Sequence, residues 1–558
     1  MTQARSTAIS APGTRQRNTL RLLGTAAVHQ ADPAAAWSPA ERQLLRLTTR
    51  QLVSYPGAAD PTDWRALGPV GDLAVDVPST YNAGLGASHR SYVAHLRPDV
   101  WWDSPQPRRI TAHDVVRGFK RLANPVTRHP ALPYFRSTIR GMDRYCDEYA
   151  AVVVAGRPVT AALVAAFANA HDLPGVFALD DETVVIELLR PALDFPDMLA
   201  LSCASPAPAE YDAYLPGSTE LHAHLVASGP YRVATWQPGD TIRLEPNPTW
   251  RPESDPVRHQ RFDAVEFRVS GDGPRRLADQ ISADVADLPW GVPVGEVSGY
   301  RADPFLVFNL RDPANPAMTT AAVRQVIDEA IDRSALARIA RVGDPWSAVR
   351  EAYTVVPPGN DGHLPSDPAA DPPAHGAPRE RLTAAGHPNG LLLTAVCPDR
   401  TEELALARAW AADLATAGIE VRLVALDEAT HRALLTGAAG APAQRWDVST
   451  TSWTAPWGYG NARVFLQPLV DGARPSGHRD EELDRMVEQA VDAADPREAV
   501  ACWQQVQRRL LADAAVVPLL FRRPTDAAPR GPRVRRADAL PSLGGLADLG
   551  DVRLGNER

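Results

Sequence analysis

The stretch from Tyr92 to Pro125, YVAHLRPDVWWDSPQPRRITAHDVVRGFKRLANP, constrains the fold of this chain most, because one uninterrupted run carries the marks of a strand, a turn and a capped helix. Tyr92, Ala94 and Leu96 alternate with Val93, His95 and Arg97, the period of a strand with one buried face, and Pro98-Asp99 ends the run as a turn pair. Thr111 stands three residues before Asp114. Its hydroxyl can cap the free amides of a helix start while the carboxylate reaches back and complements the dipole. Val115, Val116, Phe119 and Leu122 follow at helical spacing, and the helix is expected to stop near Asn124-Pro125.

The order "HLRPDVWW", proline-rich loop, "ITAHDVVRGFKRLANP" closely resembles the signature of the peptide-type extracellular solute-binding proteins, the receptors of oligopeptide ABC importers. Two more matches follow in the family's order: SGPYRVATWQPGDTIRLEPNPTW at Ser228 to Trp250, and FLVFNLRDPANPAMTTAAVRQVIDEAIDRSAL at Phe305 to Leu336. The resemblance runs from about Thr19 to about Phe521. It implies an α/β fold of the periplasmic-binding-protein type II, two lobes with hinge strands plus an additional lobe, and a non-enzymatic protein without cofactor or metal. The division it implies is a flexible arm at 1–18, a first lobe at 19–56, 195–304 and 506–558 (the last with the tail), an extra second lobe at 57–194 and a third lobe at 305–505. The implied partners are a peptide or peptide-like small ligand and an ABC permease, with the protein itself a monomer.

Length and composition agree with such an assembly. A chain of 558 residues is too long for one core, and 44% hydrophobic with 22% charged residues is ordinary for a globular protein, which excludes disorder of the whole chain. A net charge of −9 without a long basic run argues against nucleic acid or an anionic membrane surface as partner. Lys120 is the single lysine, so nearly all the 58 basic residues are arginines, which we read as a coding bias rather than a site. Met1 to Asn18 is polar and reads as an arm, while Leu20 to Val28 is too short for a membrane span and is interrupted by Arg21. No cleavable signal peptide is evident; the resemblance implies an extracellular or membrane-associated place, and the chain as written is compatible with the cytoplasm. Cys146, Cys203, Cys397 and Cys502 lie far apart without metal-site spacing and read as buried or free thiols.

Further elements follow from pattern. Leu44, Leu45, Leu47 and Leu52 mark a helical stretch after the turn-rich link Asp32 to Ala40, and Thr183 to Leu189 is a β-branched run suited to a buried strand. Val323, Val326, Ile327, Ala330 and Ile331 share one stripe, which predicts a single amphipathic helix over Thr320 to Ile339. Pro357 to Pro378 reads as a surface loop. Leu391 to Val396, Glu402 to Ala417 with Gly418, and Ile419 to Val424 predict a strand, a helix and a strand in a right-handed parallel crossover. Val500, Trp503, Val506 and Leu510 make a helical stripe, Ala515 to Phe521 is expected to close the first lobe's sheet, and an Arg- and Pro-rich tail follows from Arg522.

The candidate ligand contacts are Trp37, Tyr134, Trp453, Trp457, Tyr459 and Arg463. Trp37 sits where a loop lines the cleft in the related receptors and reads as a contact or, beside Pro39, as loop packing, and Tyr134, in "HPALPYF", resembles a ligand-facing tyrosine of the family. The run WDVSTTSWTAPWGYGNARVF, Trp446 to Phe465, concentrates aromatics where Gly458 and Gly460 loosen the backbone. Rigid aromatics lose little entropy on binding and stack on peptide groups or cations. Trp446, in an apolar-alternating strand, is read as core, and Trp453 and Trp457 as cleft; the tryptophan matching Trp453 lines the cleft in the related receptors. There the residue three positions later is an aspartate that pairs with the ligand's ammonium, whereas this chain has Pro456. The expectation is therefore a ligand without a free amine at that spot, or a cation held by Trp453, Trp457 and Tyr459, with Arg463 available for an anion.

Two other functions are weighed beside the importer receptor. One keeps the fold as an accessory binding protein of a natural-product pathway of the clavulanic-acid kind. The other is a hydrolase using Ser228 with His222 or His224; it is disfavoured because an i, i+2 pair shares a face only on a strand and no further His or Cys lies near to complete a zinc shell. A surface helix end is the preferred reading of the two histidines.

Overall fold

In the computed structural model of the chain the described residues are 18–25, 27–57, 68–154, 158–192, 194–237, 239–270, 274–295, 301–365, 377–438, 441–453, 462–470, 477–478, 481–493, 495–525 and 528–555. The expected N-terminal arm to residue 17, and 366–376 of the expected proline-rich loop, lie outside them.

The strand Thr19–Gly24 runs parallel to Ala264–Val269 on one side and to Leu288–Pro289 on the other. A strand flanked on both sides and covered on both faces needs apolar residues in sequence, which is why TLRLLG does not alternate: Leu20 and Leu22 enter one core and Leu23 another. The sheet continues antiparallel through Thr241–Pro246 to Tyr231–Gln237.

A three-stranded antiparallel sheet holds the stretch that opened the sequence reading. Ser91–His95 pairs with Thr183–Glu187, which pairs with Val176–Ala178. Tyr92, Ala94 and Leu96 are buried as their alternation requires, and the helix Ala112–Leu122 buries Val115, Phe119 and Leu122 in the same core. The carboxylate half of the predicted cap forms: Asp114 accepts the Thr111 amide at 3.0 Å, and it also accepts Trp102 Nε1 at 3.2 Å and pairs with Arg108 at 2.8 Å. Gly118 lies so close to the Ser205 carbonyl that a Cβ would collide with it.

The largest sheet runs in the order Ser347–Glu351, Leu520–Pro524, Arg301–Phe308, Val448–Trp453, Leu391–Pro398, Ile419–Leu426, with Val516–Pro518 also paired to Arg301–Phe308. The expected strand, helix and strand are present and parallel: Leu391–Pro398 pairs with Ile419–Leu426, joined by Thr401–Thr416. Arg301–Phe308 divides two cores, with Phe305 and Val307 on one face and Leu306 and Phe308 on the other.

Three expectations are corrected. The single helix over 320–339 is two, Ala321–Ala330 and Arg333–Gly343; Ile331 is extended and Asp332 accepts the Ala335 amide at 2.9 Å as a new N-cap. The apolar stripe continues across this break, so periodicity could not reveal it. The run expected to close the first sheet joins the largest one instead, because an apolar strand states that it is buried but not against which neighbour. The expected tail is packed structure: Ala547, Leu549 and Val552 share a core with Leu20 and Leu44, Gln43 Nε2 donates to the Ala547 carbonyl at 3.0 Å, and Arg46 pairs with Asp548 at 2.9 Å. The four cysteines are free, three of them buried.

A buried ionic knot joins the first and the three-stranded-sheet bodies. Arg50 Nε reaches Asp72 at 2.7 Å, Arg258 reaches the other oxygen of Asp72 at 2.8 Å, and Asp255 completes the group at 3.6 and 3.4 Å. Burial raises Asp255, and the Arg258 and Arg50 charges outweigh it, leaving the carboxylate at about 2.

Candidate functional site

Between the first sheet's body and the largest sheet lies a cavity of about 1180 Å³, above the range of about 300–1,000 Å³ usual for sites of drug-sized ligands. One wall is the link before the helix Pro39–Thr48. Asp32 folds that link, its carbonyl accepting the amides of Ala35 and Ala36 at 2.9 Å. Glu41 then accepts the amides of Trp37 and Ser38 at 2.8 Å each, while Ser38 Oγ accepts the Glu41 amide. This reciprocal cap fixes Trp37 at the helix mouth.

The facing wall is made by the strands Arg301–Phe308 and Val448–Trp453, through Asp303, Phe305, Val307 and Thr450 to Trp453. Trp453 donates its Nε1 to the Val464 carbonyl at 2.6 Å, which orients the indole. Its ring centroid is 5.4 Å from that of Trp37, with the planes inclined at 32°, and His129 meets Trp37 edge-on at 5.3 Å. Trp37 and Trp453, from distant parts of the chain, thus meet as an aromatic pair with one ring from each wall.

The floor is ionic. Arg522 reaches Glu402 at 2.5 Å and Asp344 at 3.5 Å, and Arg301 reaches Asp303 at 3.0 Å and Asp344 at 3.4 Å. Burial pushes Asp303 up but the Arg522 and Arg301 charges outweigh it and hold it low, whereas for Glu402 burial prevails over Arg522 and the carboxyl lies above its usual range. His431 donates to or accepts from Ser449 Oγ at 2.8 Å; burial, with the charges of Arg400 and Arg432, brings it down to about 4, so the ring is neutral at pH 7. Arg432 crosses to the opposite wall, 3.4 Å from Glu41 and from the Ala35 carbonyl.

The other expected contacts lie elsewhere. Tyr134 is fully buried and donates its hydroxyl to the same Val464 carbonyl at 2.6 Å, so it stands behind Trp453 rather than in the cavity wall. Arg463 is not available for an anion: it pairs with Asp194 at 2.9 Å and donates to Gln467, Ser137 and Thr138, tying the short helix Ala462–Leu466 to the neighbouring body. Its position beside the aromatic run suggested a ligand role; the carboxylate that claims it lies 269 residues away in the chain. Trp457, Tyr459 and Pro456 lie outside the described residues.

Sequence reasoning missed Arg42, Arg432, His431 and the Arg522 cluster, all lining the cavity. Only Arg42 left a signal, a cation in the first turn of a helix, where the dipole disfavours it.

The geometry does not assemble the hydrolase. Ser228 is buried and its hydroxyl accepts the Arg50 amide at 3.0 Å; His222 stacks on Trp236 at 4.4 Å and His224 on Tyr214 at 4.5 Å. Among the described residues no group of His, Cys, Asp and Glu could hold a metal ion, and no helix is long and apolar enough to cross a membrane.

Comparison with known proteins agrees with this architecture. The sequence profile of the bacterial extracellular solute-binding proteins, family 5 Middle, matches residues 86–476. The periplasmic oligopeptide-binding protein OppA of Salmonella typhimurium is 25% identical over 451 residues, 76% of each chain. The probable deoxycholate-binding periplasmic protein YgiS of Escherichia coli is 25% identical over 459 residues, 77% of each. Among solved structures, OppA of Burkholderia pseudomallei superposes with a TM-score of 0.74 at 18% identity, covering 97% of this chain and 100% of that one. The clavulanic acid biosynthesis oligopeptide binding protein 2 superposes with a TM-score of 0.68 at 24% identity, covering 97% and 96%. The fold is thus the α/β two-lobe type II binding-protein fold with an additional lobe, and the chain belongs to the bacterial extracellular solute-binding proteins of family 5.

Proposed function

We propose that this protein is a receptor that closes around an oligopeptide or peptide-like ligand and delivers it, outside the cytoplasm and as a monomer, to an ABC permease. The observation that carries the reading is the cavity between two sheet bodies, walled by Trp37 from one and Trp453 from the other. Its two walls come from separate bodies, so hinge motion opens and closes it. The volume leaves room for several residues of an extended peptide with water around the side chains, a mode in which main-chain hydrogen bonds give affinity and side-chain tolerance is broad. Solute binding without turnover accounts for a wall of indoles over a floor of charges that neutralise one another.

Native mass spectrometry of the protein purified from its own host tests the reading. A retained mass matching a peptide, unchanged on prolonged incubation, is the expected result. A retained small metabolite would favour the pathway-accessory role of the same fold, and a hydrolysed ligand would overturn the receptor.

A further inference from the structure

Arg42 is 8% exposed and lines the cavity, yet its guanidinium has no hydrogen-bonding or ionic partner among the described residues; its Nε is buried and unsatisfied. Among the described residues the guanidinium meets the face of Trp37, with its carbon 5.8 Å from the ring centroid. The nearest acid in the chain, Glu41, is turned away to the Trp37 and Ser38 amides and to Arg432. Burial without a compensating charge draws Arg42 down to about 10, so it remains a cation at neutral pH.

Three costs meet at this one residue. A buried guanidinium is expensive without a counter-charge, its Nε donor is left unmet, and it sits in the first turn of the helix Pro39–Thr48, at the positive end of the dipole. Of the other arginines that line the cavity, Arg301, Arg400, Arg432 and Arg522 each have a carboxylate within 3.4 Å, and Arg338 is exposed, so Arg42 is the buried one without an acid among the described residues. Nothing described in the chain returns the cost of Arg42. An anion bound in the cavity does, and the helix mouth adds a favourable field to it.

We propose that Arg42 is the anion anchor of the cleft, receiving a carboxylate of the ligand in a two-pronged hydrogen bond while Trp37 covers the guanidinium from the other side. Resting on the reading of this cavity as a ligand cleft, the inference adds the chemical class: a peptide or peptide-like molecule with a free carboxylate, at its C-terminus or in an acidic side chain. It also transfers to Arg42 the role that Arg463 cannot fill.

The test compares trialanine with trialanine amide by calorimetry on the full chain, on Arg42→Met and on Arg42→Lys, together with thermal denaturation in the presence of succinate. In the wild type the amide is expected to bind at least about tenfold more weakly than the acid. In Arg42→Met the two bind alike, and in Arg42→Lys the preference for the acid is partly kept. Succinate raises the Tm of the wild type and not that of Arg42→Met, and the ligand-free Arg42→Met variant melts no lower than the wild type, because an unpaired buried charge has been removed. An acid preference that survives in Arg42→Met, or a succinate effect independent of position 42, would overturn the anchor. Should Arg42→Met not fold, Arg42→Lys decides: an unaltered acid preference and succinate response with an ammonium in place of the planar fork overturns the two-pronged contact, and a weakened one supports it. If neither peptide binds while succinate acts through Arg42, the anion site stands and the peptide reading falls. If trialanine and its amide bind the wild type equally, the peptide reading stands and the anchor falls.

Discussion

Trp37 and Trp453 face each other with ring centroids 5.4 Å apart, although 415 residues separate them and each is held by its own local device. Trp37 is set by the helix cap at Ser38 and Glu41, and Trp453 by its hydrogen bond to the Val464 carbonyl. A pair built this way reports on the separation of the two bodies.

Tryptophan emission should therefore shift when ligand binds, and Trp453→Ala should remove most of that shift and weaken binding by about tenfold or more. Fluorescence titration checks both. An unchanged affinity in Trp453→Ala would mean that the indole is a support for its neighbours rather than a contact.

Closure itself is expected to depend on Arg432, which spans from the helix Glu428–Thr436 to Glu41 and the Ala35 carbonyl on the other wall. Arg432→Ala should widen the ligand-free ensemble in small-angle scattering and lower affinity. Identical scattering of the wild type with and without saturating ligand would count against hinge closure.

The Arg50, Asp72, Asp255, Arg258 knot gives a stability prediction. Asp72 accepts from both guanidiniums and is fully buried, so Asp72→Ala leaves two buried cations short of a counter-charge. The expected loss is about 3–5 kcal/mol in denaturant unfolding. A loss below about 1 kcal/mol would show that Asp255 alone balances the pair.

Two groups predict opposite pH effects. His431 is held near 4 in the folded protein, below the ordinary histidine value, so the unfolded chain takes up its proton first as the medium is acidified. Stability from this residue is complete above about pH 6.5 and falls toward pH 4; His431→Asn should flatten that part of the curve. Asp197 is raised to about 6, by burial against the Tyr55 hydrogen bond and with the help of the Asp194 charge. Its contribution is complete below about pH 4 and is lost as the pH rises through 6, so Asp197→Asn should stabilise at pH 7 and change little at pH 3.5. Unfolding curves of both variants across pH 3.5–7.5 decide each sign.

Acetylating the amine of a bound peptide is expected to change affinity by less than about threefold, since at Pro456, where the resemblance implies an aspartate, this chain offers an ammonium no carboxylate. Calorimetry on free and acetylated trialanine measures it. A large loss would place the ammonium on an acid of the cavity floor, with Glu402 and Glu403 the first to replace by glutamine.

Elements whose cause is local were legible in the chain alone. The alternation of Tyr92, Ala94 and Leu96, the Asp114 carboxylate at its helix start, and the parallel unit from Leu391 to Leu426 follow from spacing that each segment carries within itself. The sequence also marked Trp37 and Trp453 as residue types suited to a cleft. Tertiary structure decided what depends on partners far along the chain. Apolar strands such as Val516–Pro518 and Leu520–Pro524 declare burial without naming a neighbour, and their sheet was settled by pairing with Arg301–Phe308 and Ser347–Glu351. Arginines are less legible still, because a guanidinium on a flexible stem takes whichever acid the fold brings near. Arg463 found Asp194 and became structural, while Arg42 was buried at a helix mouth with no acid in reach among the described residues. The difference between a spent cation and a poised one lies wholly in long-range contacts that no local pattern encodes.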